Sequence, residues 1–222
     1  MISAKIIGYT QPSEEFKGSF SDVKDLVSYC ARVSNPSNQL NTTTSDKLIS
    51  YLIKNKHWSP LEMASVTIEV ECPRDIARQL LRHRSFSYQE FSQRYADPVK
   101  DMQFIIREAR LQDVKNRQSS IEVDDKELQN LWEEKQQDVI RLAKETYQWA
   151  ITNGIAKEQA RVVLPEGNTM SRLYVQGTIR SWIHYIEVRK DISTQKEHRL
   201  LALKVAEAIQ TIFNHAVNTK GE

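Results

Sequence analysis

The sequence predicts an α+β fold, a mixed and largely antiparallel sheet packed with helices in a single domain. Three observations lead there. Residues 65–71 alternate, with Val66, Ile68 and Val70 on one side and Ser65, Thr67, Glu69 and Glu71 on the other, as in a strand buried on one face. Several longer stretches carry apolar residues at three- and four-residue spacing, the period of an amphipathic helix. These stretches do not recur as βαβ units, so a doubly wound parallel sheet is not expected.

The elements follow in order. Residues 2–8 read as a short first strand. A helix is expected over 21–33, with Ser21 as N-cap and Val23, Leu26 and Val27 on one face. Asn35-Pro36-Ser37-Asn38 marks a loop. A second helix follows over 45–56, with Leu48, Tyr51 and Leu52 at helical spacing. After the alternating strand, Pro73 suits a first helical turn and Asp75 complements the helix dipole. Ile76, Ala77, Leu80 and Leu81 form that helix's buried stripe, while Arg78 and Arg82, like Gln79 and His83, stand four apart on faces directed away from it. Met102–Ile106 reads as a second apolar strand and 110–124 as a polar surface excursion. A long helix spans 125–153. Leu128, Leu131, Trp132, Val139, Leu142, Thr146 and Ala150 mark its inner face, and Gly154 ends it. Its Trp and Leu stripe fits a core or a subunit interface. Residues 156–164 form a short helix closed by Pro165, 170–175 a strand, Gly177 a turn into a helix over 178–189, and 195–216 a final helix.

Totals narrow the function. A chain of 222 residues is read as one domain, 1–222, with room for a sizeable core. A net charge of +2 is too small for bulk affinity to nucleic acid or membranes, so any basic patch is local. The two cysteines, Cys30 and Cys72, lack metal-ligand spacing, and no metal site is expected. No segment approaches the length of a membrane span and no long apolar signal region opens the chain, so the expected location is cytoplasmic. Neither GxGxxG nor a Walker A motif occurs.

The chemistry concentrates in Arg82–Tyr95, a run of RHRSFSYQEFSQRY. Cations, a carboxylate, amides, hydroxyls and aromatics within fourteen residues suit a phosphorylated, planar, hydrogen-bonding ligand. The plainer alternative is a polar helix end followed by a loop. Ser59-Pro60-Leu61-Glu62 has capping-box spacing with Pro at the first helical position. Such a start exposes backbone N–H groups that favour phosphate. Arg161 sits among apolar residues, where it snorkels or meets an anion.

The run is similar to a family hallmark. RHR, seven residues, Ser, one residue and Arg is the signature of flavin-dependent thymidylate synthases, and Arg82, His83, Arg84, Ser92 and Arg94 fill it without a gap. The resemblance extends to His57–Glu62, Ala160–Pro165 and Arg180–His184, covering nearly the whole chain. It implies reductive methylation of dUMP to dTMP, with FAD as hydride carrier and methylenetetrahydrofolate and NADPH as co-substrates. It also implies a homotetramer whose active sites combine residues from several subunits. Among the residues, the resemblance assigns Ser59, Arg82, His83, Arg84, Glu90, Thr178, Ile179, Arg180 and His184 to the flavin. Gln79, Arg82, Glu90, Phe91, Ser92, Gln93, Arg94, Arg161 and Arg189 are assigned to dUMP, with Arg189 activating the uracil ring. A family acid at Glu158 is expected to pair with a histidine at His57. Thr178 and His184 stand where some members carry Asn and Ser193 where some carry His, and His198 offers a replacement histidine.

Two other readings stay open at this stage. A related enzyme would modify another pyrimidine nucleotide. A single-stranded nucleic-acid module would use Arg78, Arg82, Arg84 and Arg94 with Phe86, Tyr88 and Phe91 as stacking platforms; near-neutral charge and the lack of Lys in the run argue against it.

Overall fold

The structure is a computed structural model describing residues 1–214; the end of the final expected helix, residues 215 and 216, lies outside the described residues. The strands are β1 (Ser3–Tyr9), β2 (Ser65–Pro73), β3 (Ser87–Glu90), β4 (Arg110–Gln112), β5 (Ser120–Glu122) and β6 (Met170–Thr178). The α-helices are α1 (Val23–Ala31), α2 (Ser45–Lys54), α3 (Arg74–Leu80), α4 (Pro98–Asp101), α5 (Lys126–Thr152), α6 (Lys157–Ala160), α7 (Ile179–Arg189) and α8 (Lys196–Gln210). The main sheet has the order β1-β2-β6-β3, antiparallel at every pairing. The α+β expectation holds.

The alternation in β2 does what its period dictates. Val66, Ile68 and Val70 are buried against Leu173 and Val175 of β6 and against α3, α7 and α8, while Ser65, Thr67 and Glu69 stay on the opposite face. β2 and β6 run in register from Ser65 opposite Thr178 to Pro73 opposite Met170. Each aliphatic side chain fully removed from water there contributes about 1.5–3 kcal/mol. Trp182 of α7 is locked on this core by donating from Nε1 to the Val66 carbonyl at 3.1 Å.

Several local expectations are corrected. Asp22, not Ser21, caps α1: its carboxylate accepts from the Lys24 and Asp25 amides, while Ser21 instead donates to Asp25 at 2.7 Å. An ionised acceptor outcompetes a hydroxyl for two amide donors. Tyr51 lies outside the buried face of α2, which is Ile49 and Leu52. Pro73 ends β2 and precedes α3 rather than occupying its first turn. The segment 110–124 is a two-stranded ribbon of β4 and β5.

Met102–Ile106 is not a strand. It makes one isolated bridge, Phe104 opposite Thr169, formed by the Met170 amide donating to Gln103 and the Ile105 amide donating to Asn168. Beyond that point the segment runs along α5, where side-chain amides replace a ladder. Gln136 accepts from the Arg107 amide and donates to its carbonyl, and Gln129 does the same for Ala109. This also corrects the inner face of α5, which is Gln136, Ile140, Ala143, Tyr147 and Ala150. Leu131, Trp132, Val139 and Leu142 are exposed. Gly154, at φ 76, does end α5. Gly177 lies within β6 rather than in a turn, and β6 extends through it to Thr178. A Cβ on Gly177 would come within 2.3 Å of the Phe86 ring.

Among the described residues no helix is long and apolar enough to cross a membrane, and none forms a group of three or more potential metal ligands.

Candidate active site

The site is organised by α3 and the turn that follows it. β2 feeds α3 directly, and α3 buries Ile76, Ala77 and Leu80 under the sheet. The helix ends at Leu80, and the Arg82-His83-Arg84 run folds back in a turn with His83 donating to the Leu80 carbonyl at 3.0 Å. Tyr88 staples this turn, its hydroxyl 2.8 Å from the carbonyls of both Leu80 and His83. Burial pushes the Tyr88 phenol up to about 12, so it remains a donor. Phe86 anchors the far end of the turn on Trp182, ring centroids 4.3 Å apart, in the space left by Gly177. The result is a fixed loop that carries Arg82 and Arg84 at the surface. Among the described residues neither has an acidic partner within ion-pair distance.

On one flank of α3 a guanidinium is met by a neutral imidazole. Arg189, the last residue of α7, donates from Nε to His83 Nε2 at 2.9 Å. That bond requires an unprotonated Nε2. Burial, with the Arg189 charge adding to it, pulls the His83 imidazole from its ordinary 6.5 down to about 4. Arg189 is therefore held by a neutral acceptor and keeps its charge uncancelled there. Tyr185 and His198 pack beside His83, with centroids 5.0 Å and 6.4 Å away. Gln79 joins this group by bonding to Gln195 at 2.8 Å and His198 at 3.2 Å.

The other flank is cationic and compensated. Glu90, at the end of β3, accepts from Arg78 at 2.7 Å, Arg74 at 3.2 Å and the Ser171 hydroxyl at 2.9 Å. Glu166 lies 3.9 Å from both guanidinium groups. Beyond it, Phe91 continues the pairing with β6 through its amide to Arg172. Gln93 is buried, with Nε2 lacking a partner. Ser92 accepts from the Arg94 amide at 3.3 Å, and Arg94 pairs with Glu158 at 3.3 Å. Arg161 donates to the Glu158 carbonyl. Glu158 thus pairs with Arg94, not with His57, which packs edge-on to Tyr51.

The remaining predicted residues lie where α7 leaves the sheet. Thr178 caps α7 by accepting from the Ser181 amide, and Ser181 reaches the Ser85 carbonyl at 3.3 Å, tying α7 to the RHR turn. Ile179 is buried, its amide bonded to the Ala64 carbonyl. Arg180 pairs with Glu62 at 2.7 Å. His184 packs edge-on to Trp58 at 4.5 Å. Ser59 does not form the expected capping box. Residues Ser59–Glu62 are one 3-10 turn with no side-chain cap, because Glu62 is engaged by Arg180. A cavity of about 400 Å³ between the start of α1 and the end of α8 is lined by Tyr9, Lys17, Phe20 and Lys24 among others, and by none of the predicted site residues.

Sequence reasoning missed Arg74, Ser171, Gln195 and Glu197. Arg74 had a signal, since Arg74 and Arg78 stand four apart at helical spacing. The other three join the site only through tertiary packing: Ser171 on Glu90, Gln195 on Gln79 and Glu197 on Gln195.

The family model described as thymidylate synthase complementing protein matches residues 18–214. A probable flavin-dependent thymidylate synthase of Paramecium bursaria Chlorella virus 1 is 44% identical over 212 residues, spanning 96% of this chain and 94% of the relative. This chain belongs to the flavin-dependent thymidylate synthase family. The flavin-dependent thymidylate synthase of Synechocystis is 45% identical over 202 residues, covering 91% of each chain. Among solved structures, a UMP/dUMP methylase from Streptomyces cacaoi bound with 5-Br dUMP is similar at TM-score 0.78 and 25% identity, over 97% of this chain and 93% of that one. Family membership sets aside the nucleic-acid-module reading: the chain is a flavin-dependent thymidylate synthase.

Proposed function

We propose that the enzyme methylates C5 of dUMP to give dTMP, taking the carbon from methylenetetrahydrofolate and the reducing equivalents from NADPH. The observation that carries this reading is Arg189, a guanidinium held by a neutral histidine instead of a carboxylate. A fixed, uncancelled cation stabilises negative charge that develops on a pyrimidine ring.

The residues present fit FAD. Arg82 and Arg84 are exposed guanidinium groups on a rigid turn, suited to a pyrophosphate. His83, Glu90, Ser59, Thr178, Arg180 and His184 complete the flavin side, with Ile179 anchoring the start of α7. When bound, the flavin supplies hydride transfer. Ser92, Arg94 and Arg161 take the dUMP phosphate, with the Phe91 and Gln93 backbone beside them, while Gln79 and Arg189 face the pyrimidine. Glu90 lies between the two groups.

In one protomer Ser59, Arg82, Arg84 and Arg94 lie exposed at the surface. Trp132, Val139, Leu142 and Trp149 expose a second apolar stripe on α5, too long to be left in water. Both features support a homotetramer with sites completed by neighbouring subunits. Residues 1–222 act as one domain, in the cytoplasm.

Anaerobic spectroscopy tests the reading. Flavin bands that bleach with NADPH and shift on addition of dUMP, with dTMP identified by mass in the complete reaction, are the expected result. A protein that takes up no FAD overturns it. Similarity to a methylase acting on UMP and dUMP favours one second reading, in which UMP is also a substrate; parallel assays with both nucleotides decide it.

A further inference from the structure

We propose that Gln195, Glu197 and His198 are positioning residues that hold the Gln79 amide in one orientation and thereby set the preference for uracil over cytosine. This rests on the reading above, in which Gln79 faces the pyrimidine.

A glutamine amide is nearly symmetric in shape, so its hydrogen-bond partners decide which end is N–H and which is C=O. Here the order is set from a single acceptor. Glu197 is buried, and its Oε1 accepts from Arg110 at 2.5 Å. Burial alone would raise its pKa, but the bonds from Arg110 and Gln195, with its own backbone amide, hold it below the ordinary range. It is therefore a carboxylate that only accepts. Gln195 must turn its NH₂ to Glu197 Oε2, at 3.0 Å. Its Oε1 is thereby presented to Gln79, which donates from Nε2 at 2.8 Å. The Gln79 carbonyl then faces His198 Nδ1 at 3.2 Å, so Nδ1 carries the proton. Every donor along Arg110, Glu197, Gln195, Gln79 and His198 points toward the carboxylate.

His198 is fully buried, and its other nitrogen, Nε2, has no partner. A buried imidazole with an idle nitrogen contributes one polar interaction, and that interaction is on Gln79. The network leaves Gln79 one free N–H and one free carbonyl lone pair in fixed order. Uracil offers an acceptor O4 beside a donor N3–H, whereas cytosine offers a donor N4 beside an acceptor N3. Binding cytosine requires the amide to flip, which sets NH₂ against His198 Nδ1–H and C=O against the Gln195 carbonyl. An unconstrained Gln79 would flip freely and lose that discrimination.

The test compares kcat/KM for dUMP and dCMP in the FAD-loaded enzyme. Glu197→Gln, which lets Gln195 turn either way, and His198→Phe, which removes the donor, are expected to lower the dUMP:dCMP discrimination about tenfold or more. Equal losses for both nucleotides, with the ratio unchanged, overturn the proposal and leave these residues a structural role only. If Gln79→Ala leaves KM for dUMP unaltered, the placement of Gln79 at the substrate fails first, and the two failures are told apart. Solid-state NMR of ¹⁵N-histidine-labelled wild-type enzyme checks the premise without a variant: His198 protonated at Nδ1 is expected, and protonation at Nε2 overturns the chain of donors.

Discussion

The two flanks of α3 handle positive charge in opposite ways. Toward Glu90, the guanidinium groups of Arg74 and Arg78 meet a carboxylate at 3.2 Å and 2.7 Å, and Ser171 fills another acceptor position. Toward α7, Arg189 meets only the neutral His83. The first arrangement cancels charge and holds elements together; the second presents charge to a ligand. An arginine's partner, more than its exposure, therefore separates a structural cation from a chemical one. Arg82 and Arg84, on the turn between the flanks, belong with Arg189 in lacking a carboxylate.

This contrast can be broken from either side. The largest effect is expected at Arg189: Arg189→Gln lowers kcat about 10²–10³-fold, with the bound-flavin spectrum retained. Arg189→Lys does not rescue it, since an ammonium lacks the planar fork that reaches His83. A steady-state assay checks both. On the compensated flank the loss is stability. Glu90→Gln removes the carboxylate that Arg74 and Arg78 share, leaving only Glu166 at 3.9 Å, and costs about 3 kcal/mol in urea unfolding. A smaller loss is expected where the two flanks are joined by the turn. Gly177→Ala drives a methyl into the Phe86 ring and costs about 1–3 kcal/mol, with weakened FAD retention on gel filtration as the RHR turn shifts.

A separate effect is on pH dependence. Burial, then the Arg189 charge, pulls His83 to about 4, and burial, then Arg189 and His83, pulls His198 to about 3, from an ordinary 6.5. Below 6.5 the unfolded chain takes up protons that the native state refuses until those lower values. Stability present above 6.5 is therefore lost as pH falls. The melting temperature is expected to drop between pH 7.5 and pH 5, with a shallower slope in His198→Asn, measured by thermal denaturation.

Legibility followed the range of the interaction. The period of β2 and the stripe of α3 are local patterns, and each lies in the structure where its spacing put it, whereas α3 stops at Leu80, so Arg82 and His83 lie in the following turn and do not share helical faces with Arg78 and Gln79. The face of α5 was misread because Trp and Leu residues suggest burial, whereas Gln129 and Gln136 mark the packed side by bonding a backbone segment that lacks a ladder. The Met102–Ile106 strand failed for the same reason: apolar composition does not reveal whether a ladder partner exists. The capping box at Ser59 failed because Glu62 is claimed by Arg180, 118 residues away.

The sequence alone determined the fold class, the family and the concentration of chemistry at Arg82–Arg94, because hydrophobic period and motif spacing are properties of neighbouring residues. Only the tertiary structure decided which arginines are cancelled and which are free, that His83 is neutral beside Arg189, and that Glu197 orients Gln79 through Gln195. Charge compensation and hydrogen-bond direction depend on which groups packing brings within about 3 Å of one another, and those partners lie as much as 119 residues apart in the chain.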